Sequence, residues 1–203
     1  MNDRIDNGPA LLLEAAAFAA ERHTAQRRKA PKDTPYVNHP IQVAALLAVR
    51  GQIRDPEWLA AALLHDTIED TATTGDEIEK RFGRAVRLLV EEVTDDKSLP
   101  KAERKQRRIE MAPRMSEAAR QLKLADMACN LADMARHPPP DWSEARMTRY
   151  AAWAEAVAEG CQGVNPGLEA AFQESLIKVR RTLNPEHLPA SSFPSFDTPT
   201  PAC

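Results

Sequence analysis

Apolar and polar positions recur with a helical period along almost the whole chain. Segment 11–23 is rich in Ala and Leu, ends in charges, and reads as a first helix. Segment 26–38, QRRKAPKDTPYVN, holds two prolines and a basic cluster, and reads as a loop. Pro40 suits the first turn of a second helix, where its missing N–H costs nothing, and the run IQVAALLAV carries that helix to about Gly51. Asp55 caps a third helix with Pro56 at its first position, and the pattern continues through WLAAALLHDTIED. That stretch is apolar on nearly every face up to His65, which places it at the centre of the core. Thr74 or Gly75 starts a fourth helix over DEIEKRFGRAVRLLVEEVT, and Pro100 opens a basic one, KAERKQRRIEM. Ser116 opens a sixth, EAARQLKLADMACNLADMARH, which stops at Pro138-Pro139-Pro140. Asp141 and Ser143 begin a seventh reaching about Glu159, and an eighth spans about 167–183. No long segment has the period of a strand, and there is no internal repeat. The pattern predicts one all-α domain of seven or eight helices over residues 1–183. The tail 184–203 is rich in Pro, Ser and Thr, a composition that predicts disorder.

Composition agrees with this pattern and narrows the function. The 203 residues suffice for one domain, and 43% hydrophobic with 28% charged residues is a globular profile. Only 7 Gly and 5% aromatics, with many Ala, Leu, Glu and Arg, favour helix over sheet. A net charge of −3 argues against a nucleic-acid polymer as partner, so any nucleotide-binding charge has to be local. Cys129, Cys161 and Cys203 are far apart and odd in number, which argues against a disulfide framework or a thiolate zinc site and suits a cytoplasmic protein. No apolar run approaches the roughly 20 residues that a membrane span takes, and the start of the chain does not read as a signal peptide.

The chemistry concentrates in a few polar residues on apolar elements. His65 and Asp66 are adjacent at the polar end of the most apolar helix, with Glu69 and Asp70 one turn on from each, so HDTIED can gather four metal- or proton-handling groups. The bland alternative is a charged helix end trailing into solvent. Acids at a helix C-terminus are electrostatically disfavoured, however, and three of them after Leu63-Leu64 call for a compensating cation. His39 precedes Pro40 in an extended or turn geometry at a helix start, where a ligand, a cap or a surface residue are all open readings. Asp126 lies among Leu124, Ala125, Met127 and Ala128, and a carboxylate buried there needs a cationic partner or a metal. Asn130 and Asp133 follow on the same face. Two imidazoles and two carboxylates suit Mn²⁺, Fe²⁺ or Zn²⁺. Glu69 and Asp70 are then available to position or deprotonate a water. Basic residues that could grip phosphate lie at 27–29, in the loop leading to His39, and at 101–108, although a solvated face is an equal reading for the second cluster.

The runs RRKAPKDTPYVNHPIQVA, AALLHDTIEDT, FGRAVRLLVEEVTDDKSL and LKLADMACNL together resemble the HD hydrolase domain of the RelA/SpoT family. The likeness is to its compact single-domain members, the small alarmone hydrolases of the metazoan SpoT-homologue type, and runs from about Leu13 to Gly160. It implies an all-α HD-domain bundle and a Mn²⁺-dependent enzyme that removes the 3′-diphosphate from guanosine tetra- and pentaphosphate. By the same resemblance His39, His65, Asp66 and Asp126 are metal ligands, and Glu69 and Asp70 activate the water. Arg28, Lys29 and Asn130 contact substrate, and Lys101, Arg146 and Tyr150 match phosphate-contacting positions. The family's bifunctional members carry a synthetase domain after the hydrolase; here hydrolysis alone is implied. Asp33 stands where a glycine is common before TPY, and Met127 and Cys129 replace more frequent polar residues between Asp126 and Asn130. Two alternatives stay open: a phosphatase acting on another nucleotide such as NADPH, and a non-catalytic HD domain that binds nucleotide.

Overall fold

The computed structural model describes residues 7–28 and 34–184, and these are all-α. The helices are α1 Gly8–Arg22, α2 Asn38–Val49, α3 Pro56–Leu64, α4 Thr67–Asp70, α5 Gly75–Phe82, α6 Arg84–Val93, α7 Lys101–Met111, α8 Glu117–Arg136, α9 Glu144–Gly160 and α10 Pro166–Leu183. A single 3₁₀ turn, Ala112–Arg114, joins α7 to the α8 cap. Among the described residues the only β-type pairing is an isolated bridge between Arg27 and Pro35, which closes the base of the loop leading to α2. Lys29, Asp33 and the tail from 185 lie outside the described residues.

Side-chain caps set half of the described α-helix starts. Asp55 accepts from the Glu57 N–H at 2.8 Å, with Pro56 following where no donor is needed. Thr74, Ser116 and Ser143 each accept from the N–H three residues on, and Asn165 accepts from both Gly167 and Leu168. Ala60, Ala61, Ala62, Leu63 and Leu64 of α3 are all buried, as expected of a helix surrounded by others. α3 packs on α1, α2, α6 and α8, while α8 itself touches α2, α3, α6, α9 and α10. The small Ala faces of α3 and α8 let these backbones approach closely, and Phe18, Leu47, Leu122, Leu124, Leu131, Phe172 and Leu176 fill the space around them.

Three local departures from the sequence pattern matter. The expected single helix through HDTIED ends at Leu64. His65 Nδ1 donates to the Ala62 carbonyl at 2.8 Å and Thr67 Oγ1 donates to the Leu64 carbonyl at 2.7 Å, so side chains take over the carbonyls that the next turn needs. The acids then continue on the separate turn α4, where the Asp70 N–H reaches the Asp66 carbonyl at 2.9 Å. The expected fourth helix is likewise two, because Gly83 has φ 92°, a backbone region that glycine reaches without a side-chain clash. His39 is not extended: it lies inside the first turn of α2, with Pro40 next, where N–H groups have no intrahelical acceptor in any case.

The basic helix α7 also hides a structural residue. Arg108 is buried, and its guanidinium donates to Asp95 Oδ1, to the Val93 carbonyl at 2.9 Å and to the Glu92 carbonyl at 3.3 Å. It thereby caps the C-terminus of α6. Arg108→Ala leaves Asp95 and two carbonyls without their donor, and should destabilise the fold by about 2–4 kcal/mol. Chemical denaturation would show this as a lowered midpoint at unchanged slope, and an unchanged midpoint would remove Arg108 from the structural account.

Candidate metal centre

The break after Leu64 turns His65 and Asp66 toward the first turn of α2 and the middle of α8. His39, His65 and Asp126 are all buried, and one ligand atom from each lies within 4.8 Å of the others. His39 Nε2 is 3.1 Å from Asp126 Oδ1 and 3.8 Å from Asp66 Oδ2. His65 Nε2 is 3.1 Å from Asp66 Oδ2 and 3.8 Å from Asp126 Oδ1. All four residues of the expected ligand set therefore stand together, with Asp66 the least buried.

The hydrogen bonds test whether a cation fits. His65 Nδ1 faces a backbone carbonyl, which only accepts, so that nitrogen carries the hydrogen. Nε2 is then a lone pair aimed at two carboxylates, buried and without a hydrogen-bond partner among the described residues. Three sets of electron pairs converging in a buried volume repel unless positive charge stands between them. The donor set, with imidazole oriented through its far nitrogen by a carbonyl, is the arrangement that divalent metals use. With no ion present, a proton takes the same role. Burial by itself lowers the His65 pKa, but Asp66 and Asp126 outweigh it and raise it to about 10. Burial would raise both carboxylates, and the opposing cations reverse that too. His65 and His39 hold Asp66 well below the usual range, and Lys123 with the two histidines does the same for Asp126.

Neighbouring side chains fix the acids in place. Lys123, one turn before Asp126, donates to its Oδ2 at 3.0 Å, while Asn130, one turn after, donates to its Oδ1 at 2.6 Å. Arg28 donates to Asn130 Oδ1 at 3.0 Å and to Asp133 Oδ2 at 2.8 Å. Tyr36 donates its phenol to Asp66 Oδ2 at 2.6 Å; burial first, then the Asp66 charge, push its pKa far up, so it stays a donor. Tyr36 and Lys123 are the site residues that sequence reasoning missed. Tyr36 sits in the quoted run TPYVNHP, and Lys123 is three before Asp126, so a helical-face reading could have found the second.

The expected acidic pair divides. Glu69 is half-buried, and its Oε2 accepts from the Asp95 N–H at 3.2 Å. Burial is the main reason its pKa is raised, with the nearby Asp95 and Asp66 charges adding to it. Asp70 faces outward, ion-paired with Lys97 at 2.6 Å and accepting from Gln26 Nε2 at 2.9 Å. Above the cluster opens a pocket of about 520 Å³, lined by Gln26, Arg28, Tyr36, His39, Asp70 and Asn130 on one side. Met134, Arg136, His137, Pro139, Trp142 and Tyr150 line the other. Tyr150 and Trp142 meet edge-on with ring centres 5.5 Å apart. Arg146 stacks on Trp142 at 4.3 Å without lining the pocket, and Lys101 is exposed at the start of α7, also off the wall. Lys105, from the same basic cluster, lies over Trp153 at 4.7 Å.

The profile of the HD domain family matches residues 15–158. The chain belongs to the HD domain family. Its relatives include the human guanosine-3′,5′-bis(diphosphate) 3′-pyrophosphohydrolase MESH1, 56% identical over 171 residues that cover 84% of this chain and 95% of the relative. The Drosophila melanogaster enzyme of the same name is 46% identical over 81% of this chain and 92% of its own. A solved structure, of a metazoan ortholog of SpoT that hydrolyses ppGpp and plays a role in starvation responses, overlays with a TM-score of 0.81 at 44% identity, covering 83% of this chain and 95% of that one. In this HD domain no described helix is long and apolar enough to cross a membrane.

A cation entering this centre competes with the proton that Asp66 and Asp126 favour on His65 by raising its pKa. Affinity for a divalent cation should therefore rise with pH, about tenfold per unit for one proton displaced. Calorimetric titrations between about pH 6 and pH 8 in buffers of different ionisation enthalpy read both the affinity and the protons released. Affinity flat with pH, with no proton release, would contradict this picture of the centre.

Proposed function

We propose that this chain is a Mn²⁺-dependent guanosine-3′,5′-bis(diphosphate) 3′-pyrophosphohydrolase. The observation that carries the reading is the buried His65 Nε2 facing two carboxylates, beside a pocket lined by His39 and Asn130. The relatives named above supply the substrate. His39, His65, Asp66 and Asp126 are the proposed ligands. A divalent ion held there lowers the pKa of a bound water and polarises a phosphoryl oxygen. Mn²⁺ fits mixed imidazole and carboxylate donors, as Fe²⁺ and Zn²⁺ also do.

The chain's own groups then divide the work. Arg28, held by Asp133 and Asn130 on the pocket side of the centre, offers guanidinium N–H donors to phosphate oxygens. Lys29, in the same loop, is assigned a companion role, and Asn130 bridges substrate and Asp126. Tyr150 and Trp142 give the pocket an apolar, aromatic face suited to a nucleoside, and the family resemblance assigns Arg146, stacked on Trp142, and Lys101 to the phosphates. Glu69, with its pKa raised by burial, takes a proton from the attacking water, and Asp70 on the pocket wall orients that water. Water oxygen bonds to the phosphorus nearest the ribose, the bond to the 3′ oxygen breaks, and that oxygen takes a proton. The products are GDP, or GTP from the pentaphosphate, and pyrophosphate.

Incubation with guanosine tetraphosphate and Mn²⁺, with and without EDTA, followed by anion exchange, tests the reading. GDP and pyrophosphate should appear only with metal. Asp126→Ala should lose cation binding and turnover together. Glu69→Gln should bind the cation yet lose about 100-fold in kcat, and Arg28→Ala should mainly raise KM. Cation binding without turnover of guanosine tetraphosphate, together with phosphate release from NADPH, would move the assignment to another phosphorylated nucleotide.

A further inference from the structure

His23 follows the last turn of α1 and is buried, with 2% of its surface exposed, and it is not one of the proposed metal ligands. Its Nδ1 lies 2.6 Å from Gln26 Oε1, and Gln26 Nε2 lies 2.9 Å from Asp70 Oδ2. Asp70 Oδ1 takes the ammonium of Lys97 at 2.6 Å.

The direction of this chain of bonds follows from chemistry. Ion-paired with Lys97, the Asp70 carboxylate offers acceptors only, so Gln26 must present its NH₂ to it. The Gln26 carbonyl then faces His23, and because a carbonyl only accepts, His23 Nδ1 carries the hydrogen. Nε2 is left bare, and it is buried without a partner among the described residues. A burial that leaves one ring nitrogen unsatisfied is unfavourable, and an apolar side chain of similar size would avoid it. What the imidazole supplies in return is the one donor that holds the Gln26 amide in a single orientation.

Gln26 is tied at its backbone as well. Its N–H donates to the His23 carbonyl at 2.9 Å, and its carbonyl accepts from the Tyr36 N–H at 3.1 Å. The His23 ring packs on that of Tyr36 with centres 4.9 Å apart, and Tyr36 reaches Asp66. The short turn α4 is thus gripped at both ends by the segment between α1 and α2, at Asp66 through Tyr36 and at Asp70 through Gln26.

We infer that His23 is a positioning residue for the proposed hydrolysis, orienting through the Gln26 amide the Asp70 carboxylate at the pocket wall. The inference rests on the proposed role of Asp70 in holding the attacking water. It separates His23 from an ordinary core histidine, whose loss would act on stability alone.

Two substitutions and a spectrum test it in the full chain. His23→Leu removes the donor while keeping an apolar filling, and His23→Asn restores an N–H near the Nδ1 position. With guanosine tetraphosphate and Mn²⁺, His23→Leu should lower kcat about tenfold, with KM and Mn²⁺ affinity within about twofold of the parent. His23→Asn should recover most of that loss even where its thermal midpoint matches that of His23→Leu. Unchanged kcat in His23→Leu, or equal losses in the two variants, would overturn the inference. Nitrogen-15 NMR of the imidazole needs no substrate: the parent should show the Nδ1–H tautomer, and Asp70→Ala should release it to a mixture. An Nε2–H tautomer in the parent also overturns it. A parent that shows the Nδ1–H tautomer, released by Asp70→Ala, yet leaves guanosine tetraphosphate intact supports the relay and overturns the substrate assignment instead.

Discussion

Two carboxylates and the Nε2 atoms of two imidazoles meet in one buried volume, and such a group can exist only around positive charge. Much of the local structure follows from that requirement. His65 can aim Nε2 at Asp66 and Asp126 because its Nδ1 is committed to the Ala62 carbonyl, and that commitment ends α3. His39 can complete the group because α2 starts one residue earlier, with the Asn38 and His39 N–H groups taken by the Pro35 and Tyr36 carbonyls and Pro40 having none to satisfy. The helices that deliver these residues bury alanines (Ala44, Ala60, Ala61, Ala62, Ala125 and Ala128), whose small side chains allow the close packing that brings four donor groups together.

The carboxylates are also restrained from the sides away from the centre. Each oxygen of Asp126 has its own donor, Lys123 on one and Asn130 on the other, and Asp66 takes the Tyr36 phenol. These bonds leave the acids little rotational freedom, so a cation meets a preformed set of donors instead of ordering them on arrival. They also connect the centre to the pocket. Asn130 joins Asp126 to Arg28, and Arg28 lies over the Tyr36 ring at 5.4 Å, so a charge bound by Arg28 is mechanically linked to both acids.

Most of the fold was legible because its signals are local. Caps at Asp55, Ser116 and Ser143 and prolines at helix starts are read by the nearest few residues, and the structure uses them as the sequence suggests. What stayed hidden depends on partners distant in sequence. The end of α3 at Leu64 is set by side-chain bonds to its last carbonyls, which a continuous apolar pattern does not reveal. Arg108 looks like one more member of a basic run, but its acceptors lie on α6 and just after it. His39 and Asp126, ambiguous one at a time, become a site once α2 and α8 are seen to pack together. Tyr36 and Lys123 had no signal of their own beyond their spacing from those residues.

The HDTIED run reads as a block of like residues, yet its two last acids stand in opposite surroundings. Glu69 points into protein, where burial favours its protonated form and the Asp95 N–H fixes one oxygen. Asp70 points to the pocket wall, its side chain 23% exposed, and is kept an acceptor by Lys97 and Gln26. The break before α4 produces this contrast, because it turns the helical face that bears Glu69 toward the loop after α6 and leaves Asp70 at the rim. A carboxylate whose pKa burial raises and a pocket-facing carboxylate held by two donors can serve as a proton carrier and a fixed acceptor.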